Sequence, residues 1–265
     1  MGIAYADIDK DNDFDYYLTN LGRNVLLRNN GDQTFTDDST LANVENTYAQ
    51  DGNGSEFLAT GWGTAFLDVN NDTWPDLFVA NGKIPSANSI STGEDDPNKL
   101  YINNNGIKFT DISFGSGISD SNRGRGMAYC DYDKDGDLDI VVVVQTHSAG
   151  TNARTTLYQN QLNPDSVQGK NWVQFKLEGV SINKDAIGAK VKLTVNGEQL
   201  IQEVHGQGSH CSQHSLVLHF GLADNEVIDN VEVIWSDDYS QNFEDVTPNE
   251  RYRIKEGNDL SIGIS

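Results

Sequence analysis

Three nine-residue stretches carry the clearest chemistry in this 265-residue chain. They are Asp7-Ile-Asp-Lys-Asp-Asn-Asp-Phe-Asp15, Asp68-Val-Asn-Asn-Asp-Thr-Trp-Pro-Asp76 and Asp131-Tyr-Asp-Lys-Asp-Gly-Asp-Leu-Asp139. Each sets an oxygen-bearing side chain at positions 1, 3, 5 and 9. Alternate residues of a tight loop turn their side chains inward, and position 7 can add a backbone carbonyl. Six to eight oxygens at loose geometry is what a hard cation such as Ca²⁺ requires. Position 6 needs a left-handed backbone, which Gly136 adopts freely and Asn12 tolerates. An EF-hand would carry Glu at position 12 and continue into a helix. The third loop has Val142 there, inside the apolar run Ile140-Val-Val-Val-Val144, so it reads as a strand–loop–strand site.

The loops must be positioned by a repeated element. Gly2-Ile-Ala-Tyr-Ala, Gly63-Thr-Ala-Phe-Leu and Gly126-Met-Ala-Tyr-Cys precede the three loops, which recur after 61 and then 63 residues. Each repeat reads as four short strands: the lead-in; a second over 15–20, 76–81 and 139–145; a third over 25–29, 100–103 and 156–160; and a fourth around Phe35 and Phe109. Asn30-Gly31 and Asn105-Gly106 are hairpin turn signals. The third copy departs from the pattern after Leu157-Tyr-Gln-Asn-Gln161. A four-stranded unit at this period cannot bury both faces alone, and radial stacking as propeller blades solves that.

These residues resemble a known family. Gly-x-Ala-x-x-Asp-x-Asp-x-Asp-Gly-x-x-Asp, an apolar strand and Leu-Tyr-x-Asn-x-Gly are similar to the FG-GAP/VCBS repeats of integrin-α-type propellers. The resemblance covers about residues 1–161. It implies cation ligation by the side chains at positions 1, 3, 5 and 9 with the carbonyl of position 7. Those residues are Asp7, Asp9, Asp11, Asp13 and Asp15; Asp68, Asn70, Asp72, Trp74 and Asp76; Asp131, Asp133, Asp135, Asp137 and Asp139. The second site should be the weakest, because Asn70 replaces a carboxylate and β-branched Thr73 occupies the left-handed position. A closed propeller typically needs four to eight blades, and this sequence supplies about three. A partial or open propeller is therefore expected, completed by self-association or by blades of a longer parent chain. The opening inside a repeat suggests N-terminal truncation.

Residues 162–170 read as a linker, with Asn163-Pro-Asp-Ser as turn chemistry. From 171 to 257 the chain alternates in strands without acidic loops, followed by a tail over 258–265. Turn signals every 8–12 residues argue for a small β-sandwich-like domain. Asn183-Lys-Asp-Ala-Ile-Gly-Ala189, Gly206-Gln-Gly-Ser, Leu218-His-Phe-Gly-Leu222 and Val231-Glu-Val-Ile-Trp235 resemble the ASPIC/UnbV domain. That domain follows FG-GAP/VCBS blades in cartilage acidic protein and in many bacterial secreted proteins. His210-Cys211 and Ser236-Asp-Asp depart from its usual pattern.

Composition bounds the partners. The net charge of −22 argues against nucleic acid and anionic membranes. Eleven carboxylates sit at positions 1, 3, 5 and 9 of the loops, so up to three Ca²⁺ would offset part of that charge. No stretch is apolar enough for membrane insertion, and no signal peptide is present. Cys130 aligns with Ala6 and Leu67 and is expected to be a buried, inert thiol. His205, His210, Cys211, His214 and His219 crowd together. Adjacent residues 210 and 211 point apart in extended chain, so packing is favoured over zinc ligation. His219 is expected to pack or bond locally. Arg123 and Arg125 are expected to pair with Asp120 or bind an anion. No nucleophile elbow or phosphate loop is present. Long loops on a rigid scaffold usually carry recognition, and the resemblance puts 38–60, 82–97, 112–124 and 146–153 opposite the acidic loops. Tyr48, Asn53, Asn88 and His147 are candidates there by position. The sequence thus points to a non-enzymatic, secreted or cell-surface calcium-binding adhesion protein with a glycan or protein partner. The alternatives are a polysaccharide-active lyase or hydrolase and a structural assembly module.

Overall fold

A computed structural model describes residues 1–50, 55–84, 96–145, 154–161, 170–206 and 208–263. The architecture is all-β, a propeller-type arrangement of small sheets with no helix among the described residues. The first sheet contains β1 (Ile3–Ala6), β2 (Asp15–Leu18), β3 (Val25–Asn29) and β4 (Phe35–Asp37) in sequence order. A hairpin of β5 (Thr47–Gln50) and β6 (Ser55–Leu58) follows. The second sheet is β7 (Gly61–Leu67), β8 (Asp76–Asn81), β9 (Lys99–Asn104) and β10 (Lys108–Asp111). The third is β11 (Gly124–Cys130), β12 (Asp139–Val144) and β13 (Thr156–Tyr158). Among the described residues it has three strands where the repeat implies four.

The second sheet shows why the repeat must stack. Its β8 is buried along its whole length, and period-two alternation aims successive side chains at opposite faces. Phe66, Leu77 and Val79 pack with Ala4, Tyr17 and Leu26 of the first sheet. Ala65, Leu67, Phe78 and Ala80 pack with Met127, Ile140 and Val142 of the third. Each fully buried large side chain contributes about 1.5–3 kcal/mol. Tyr17 is fully buried, and its hydroxyl is satisfied by donating to Val44 O at 2.7 Å.

The remaining strands form two four-stranded sheets sharing one core. These strands are β14 (Asn171–Glu178), β15 (Lys190–Val195), β16 (Glu198–Glu203), β17 (Val217–Ala223), β18 (Asn230–Ser236), β19 (Tyr239–Phe243), β20 (Glu250–Lys255) and β21 (Leu260–Ile262). The sheets run β17-β14-β20-β21 and β16-β15-β18-β19. Their core includes Phe175, Phe220, Val191, Leu193, Val233 and Tyr252.

Strands β1, β7 and β11 are edges, and the segment between β16 and β17 crosses all three. Ser209 N donates to Ile3 O at 3.2 Å, and Ser209 Oγ accepts from Thr64 N at 3.0 Å. Ser212 Oγ donates to Met127 O at 2.7 Å, and Ser215 N to Tyr129 O at 3.2 Å. The close approach explains the glycine in each lead-in. A Cβ on Gly63 would lie 2.8 Å from both Arg125 O and Ser209 Oγ, tighter than side chains tolerate.

Two expectations need correction here. Cys130 is an exposed free thiol. Its equivalent Leu67 is covered by the third sheet, whereas the outer face of the third sheet leaves Val143 and Leu157 about half exposed. Arg123 and Arg125 form no ion pair with Asp120 among the described residues. The Arg125 guanidinium lies 4.1 Å over the Trp62 ring and donates to Gly82 O and Gln145 Oε1. The Asp120 carboxylate instead accepts from Asn122, Thr156 and Tyr158.

Candidate metal centres

Each acidic loop joins the first two strands of its sheet and closes by the same hydrogen bonds. The position-1 carboxylate accepts the backbone N–H of position 5, from Asp11 to Asp7 at 3.1 Å, Asp72 to Asp68 at 3.0 Å and Asp135 to Asp131 at 3.1 Å. It also accepts the N–H of position 6, from Asn12, Thr73 and Gly136. The position-9 carboxylate accepts the N–H of position 2 and, at 2.8 Å in every copy, that of Asn29 in β3, Asn103 in β9 or Asn160 two residues after β13. These bonds fix the position-1 and position-9 carboxylates of each loop in place. The left-handed turn falls at position 6, with φ of 73° at Asn12, 80° at Thr73 and 94° at Gly136.

Those asparagines hold the loops in place, a role that the repeat pattern alone does not assign. The Asn103 side chain donates to Ile8 O in the first loop at 3.0 Å, and Asn160 to Val69 O in the second at 2.7 Å. Each sheet thereby fastens the loop of the sheet before it. The signal was their fixed place one strand after the position-9 aspartate.

The three loops differ in fitness for a cation. In the first, ligand oxygens of Asp7, Asp9 and Asp11 lie within 4.8 Å of one another. Asp9 Oδ1 and Asp13 Oδ1 are buried without a hydrogen-bond partner, a costly state that an ion would relieve. The other oxygen of Asp9 is oriented by Arg28 Nη1 at 2.5 Å. In the third loop Asp131, Asp133 and Asp139 converge to the same limit. Asp135 is exposed and donates its backbone N–H to Asp131, and Asp137 Oδ1 receives Asn71 Nδ2 at 3.4 Å. The second loop forms no such group among the described residues. There Asn70 Nδ2 donates to Asp72 Oδ2 at 2.9 Å, so the amide occupies a carboxylate that would otherwise face a cation. Asp68 and Asp76 remain buried, and Trp74 lies under the Lys10 ammonium at 3.9 Å.

The electrostatics agree. Burial pushes the Asp7 carboxyl up to about 6 and those of Asp15 and Asp68 up to about 7. Neighbouring carboxylates push in the same direction. Asp13, Asp76, Asp135 and Asp139 are raised too, burial again leading.

The C-terminal sheets dock onto the second and third loops. His219, which was expected to bond locally, reaches across 148 residues of sequence: its Nε2 donates to Asn71 Oδ1 at 2.7 Å. Its Nδ1 accepts from Gln174 Nε2 at 3.2 Å. Burial, then the Arg251 cation, pushes this imidazole down to about 3, so it is neutral. Gln174 Nε2 also donates to Asp131 Oδ2 at 2.8 Å. A Cβ on Gly136 would overlap the Trp172 indole, which packs directly on the third loop. The histidine cluster stays partly together: His205 and His214 meet edge-on at 6.0 Å, and Cys211 Sγ lies 3.6 Å from His210 Nε2, against the expectation that residues 210 and 211 point apart. His214 also stacks on Tyr129 at 4.4 Å, and His210 meets Trp62 edge-on at 5.0 Å. Of the candidate recognition residues, Asn53, Asn88 and His147 lie outside the described residues, as does the Tyr48 side chain.

Comparison with protein families matches residues 68–142 to the FG-GAP-like repeat and residues 179–261 to ASPIC and UnbV. The chain is an FG-GAP repeat protein with a C-terminal UnbV domain. The FG-GAP match spans the second and third loops; the first loop lies before it and shares their hydrogen-bond pattern. A comparison with curated proteins finds no match. No helix among the described residues is long and apolar enough to cross a membrane, which leaves β-barrel insertion unaddressed.

Proposed function

We propose that the FG-GAP loops bind divalent cations, Ca²⁺ by ligand type, and that the protein is a non-enzymatic, secreted or cell-surface recognition module. In this reading three blades over 1–161 precede a β-sandwich-like domain over 171–257, and the long inter-strand loops bind a glycan or protein. The orphaned, buried oxygens of Asp9 and Asp13 beside converging Asp7 and Asp11 support it most. Loop ligands would hold the ion through Asp7, Asp9, Asp11, Asp15 and the Asp13 carbonyl, and through the equivalent residues of the third loop. The bound ion would supply charge neutralisation that rigidifies the hairpin.

A cavity of about 80 Å³ lies between the acidic loops and strands β16 and β17. The raised carboxyls lining it, Asp7 and Asp68, are position-1 loop residues already closing their turns. Their commitment favours the binding reading over a polysaccharide-active enzyme.

Extracellular calcium modules bind with Kd of about 10⁻⁴–10⁻³ M. At ten times Kd each site adds about 1.4 kcal/mol of stability. With the first and third loops as the two sites, Asp135→Ala should therefore remove roughly half of the calcium-dependent rise in melting temperature, read by circular dichroism. An undiminished rise would show that the third loop does not bind.

A second reading is assembly, favoured by the half-exposed Val143 and Leu157 on the outer face of the third sheet. Light scattering tests it: a concentration-independent monomer mass would count against it.

A further inference from the structure

Arg251 stands on β20, directly opposite Gln174 of β14 in the sheet register. Its guanidinium enters the interface with the third loop. Nη1 lies 4.0 Å from Asp131 Oδ2, with the side chain 17% exposed. Its Nε and Nη1 donors have no hydrogen-bond partner. The guanidinium is thus held at the loop by charge rather than by directed bonds. Arg28, at the first loop, is differently placed. Besides Asp9 it donates to Asp38 Oδ2 at 2.9 Å and Gly106 O at 2.7 Å, so its position does not depend on the loop carboxylate. Arg251 has no such anchorage among the described residues, and the atom it faces belongs to the first ligand of its loop.

We propose that Arg251 is a tethered counter-cation of the third loop, competing with the divalent ion there, so that the docked UnbV domain sets the cation affinity of that loop. The proposal rests on the cation-binding reading given above. An ion held by Asp131 would sit within a few ångströms of the guanidinium, and two like charges so close in a partly buried site repel. When the loop is free of metal, the same guanidinium offsets part of the carboxylate repulsion and lessens the gain from binding. Gln174 contributes no charge; its amide fixes the orientation of Asp131 in either state.

The packing of Trp172 on Gly136 provides the readout. Indole excitation should sensitise emission from Tb³⁺ in the third loop, and Trp172→Phe should remove that component. The full chain would be titrated with Tb³⁺, then with Ca²⁺ in competition, as wild type, Arg251→Gln, Arg251→Met, Arg251→Lys and Arg253→Gln. Arg253 is on the same strand, half exposed and paired with Glu178, so it controls for the change in net charge. Arg251→Met keeps the aliphatic packing should glutamine disturb the fold. We expect the two neutral variants to bind about threefold or more tightly, with Arg251→Lys and Arg253→Gln within twofold of wild type. Unchanged or weaker affinity in the neutral variants would overturn the competition while leaving the cation reading intact. Absence of Trp172-sensitised emission and of calcium binding in the wild type would sink the reading itself, and the proposal with it.

Discussion

Thr73 offers a test of loop geometry that needs no ligand. It holds φ of 80° at the sixth position of the second loop, where the other copies have Asn12 and Gly136. A left-handed conformation costs an ordinary L-residue roughly 1–2 kcal/mol, and β-branching makes it worse. Asparagine visits this region readily, as Asn12 does at 73°. Thr73→Asn should recover about 1 kcal/mol of strain. Against this stands one contact: Thr73 Oγ1 accepts from Lys10 Nζ at 2.8 Å. Lys10 would keep Glu198 at 3.0 Å and the Trp74 face at 3.9 Å, so that loss is at most a fraction of about 1 kcal/mol. The backbone bond from Thr73 N to Asp68 is untouched. The net gain should be about 0.5–1 kcal/mol, or roughly 1–4 °C in Tm for a chain of this size. Because the strain is present with or without metal, the gain should appear equally in EGTA and in calcium. Scanning calorimetry in both buffers, with Lys10→Met as background, measures it. A lower Tm for Thr73→Asn in the Lys10→Met background would refute the strain argument, since no lost hydrogen bond could then account for it.

Two further outcomes follow from the loops. The raised Asp7, Asp15 and Asp68 carboxyls bind protons more tightly folded than unfolded, so stability in EGTA should fall as pH rises from about 4 through about 7. In the proposed reading calcium takes the place of the protons of Asp7 and Asp15, and the Tm difference between calcium and EGTA should widen from pH 5 to pH 7.5; a constant or narrowing gap would contradict the burial-driven shifts. Asn103→Ala removes donors to Ile8 O and Pro75 O and the acceptor for Gly106 N. It should cost about 2–3 kcal/mol in urea unfolding, and a loss under about 0.5 kcal/mol would show that the inter-sheet fastening is dispensable.

The acidic loops were legible because their chemistry leaves few alternatives. Oxygen at positions 1, 3, 5 and 9 with a left-handed sixth residue marks a tight loop closed by its own carboxylates, and the strands around it announce themselves by alternation. Thr73 and Asn70 could be singled out from residue type alone, and the structure places both in the loop as the spacing implies. What local pattern does not encode is which distant surface arrives. His219 lies between buried Leu218 and Phe220, a hint that both faces of β17 are covered, yet nothing nearby names Asn71 as its partner. The same holds for Gln174 and Arg251 at Asp131. The hairpin β5–β6 and the strands β19 and β21 were missed because they are only three to five residues long, too short for alternation to show. Cys130 was misplaced for the opposite reason. Repeat equivalence assumes an equivalent neighbour, and the third sheet lacks one on its outer side among the described residues.

The measurement closest to the central claim is thermal unfolding of the full chain in EGTA, in millimolar Ca²⁺ and in millimolar Mg²⁺. The account predicts a calcium-selective rise of several degrees, since the loops offer many oxygens at loose geometry rather than a strict octahedron. Equal melting temperatures in all three buffers would contradict it, leaving the acidic loops as turns closed by their own backbone.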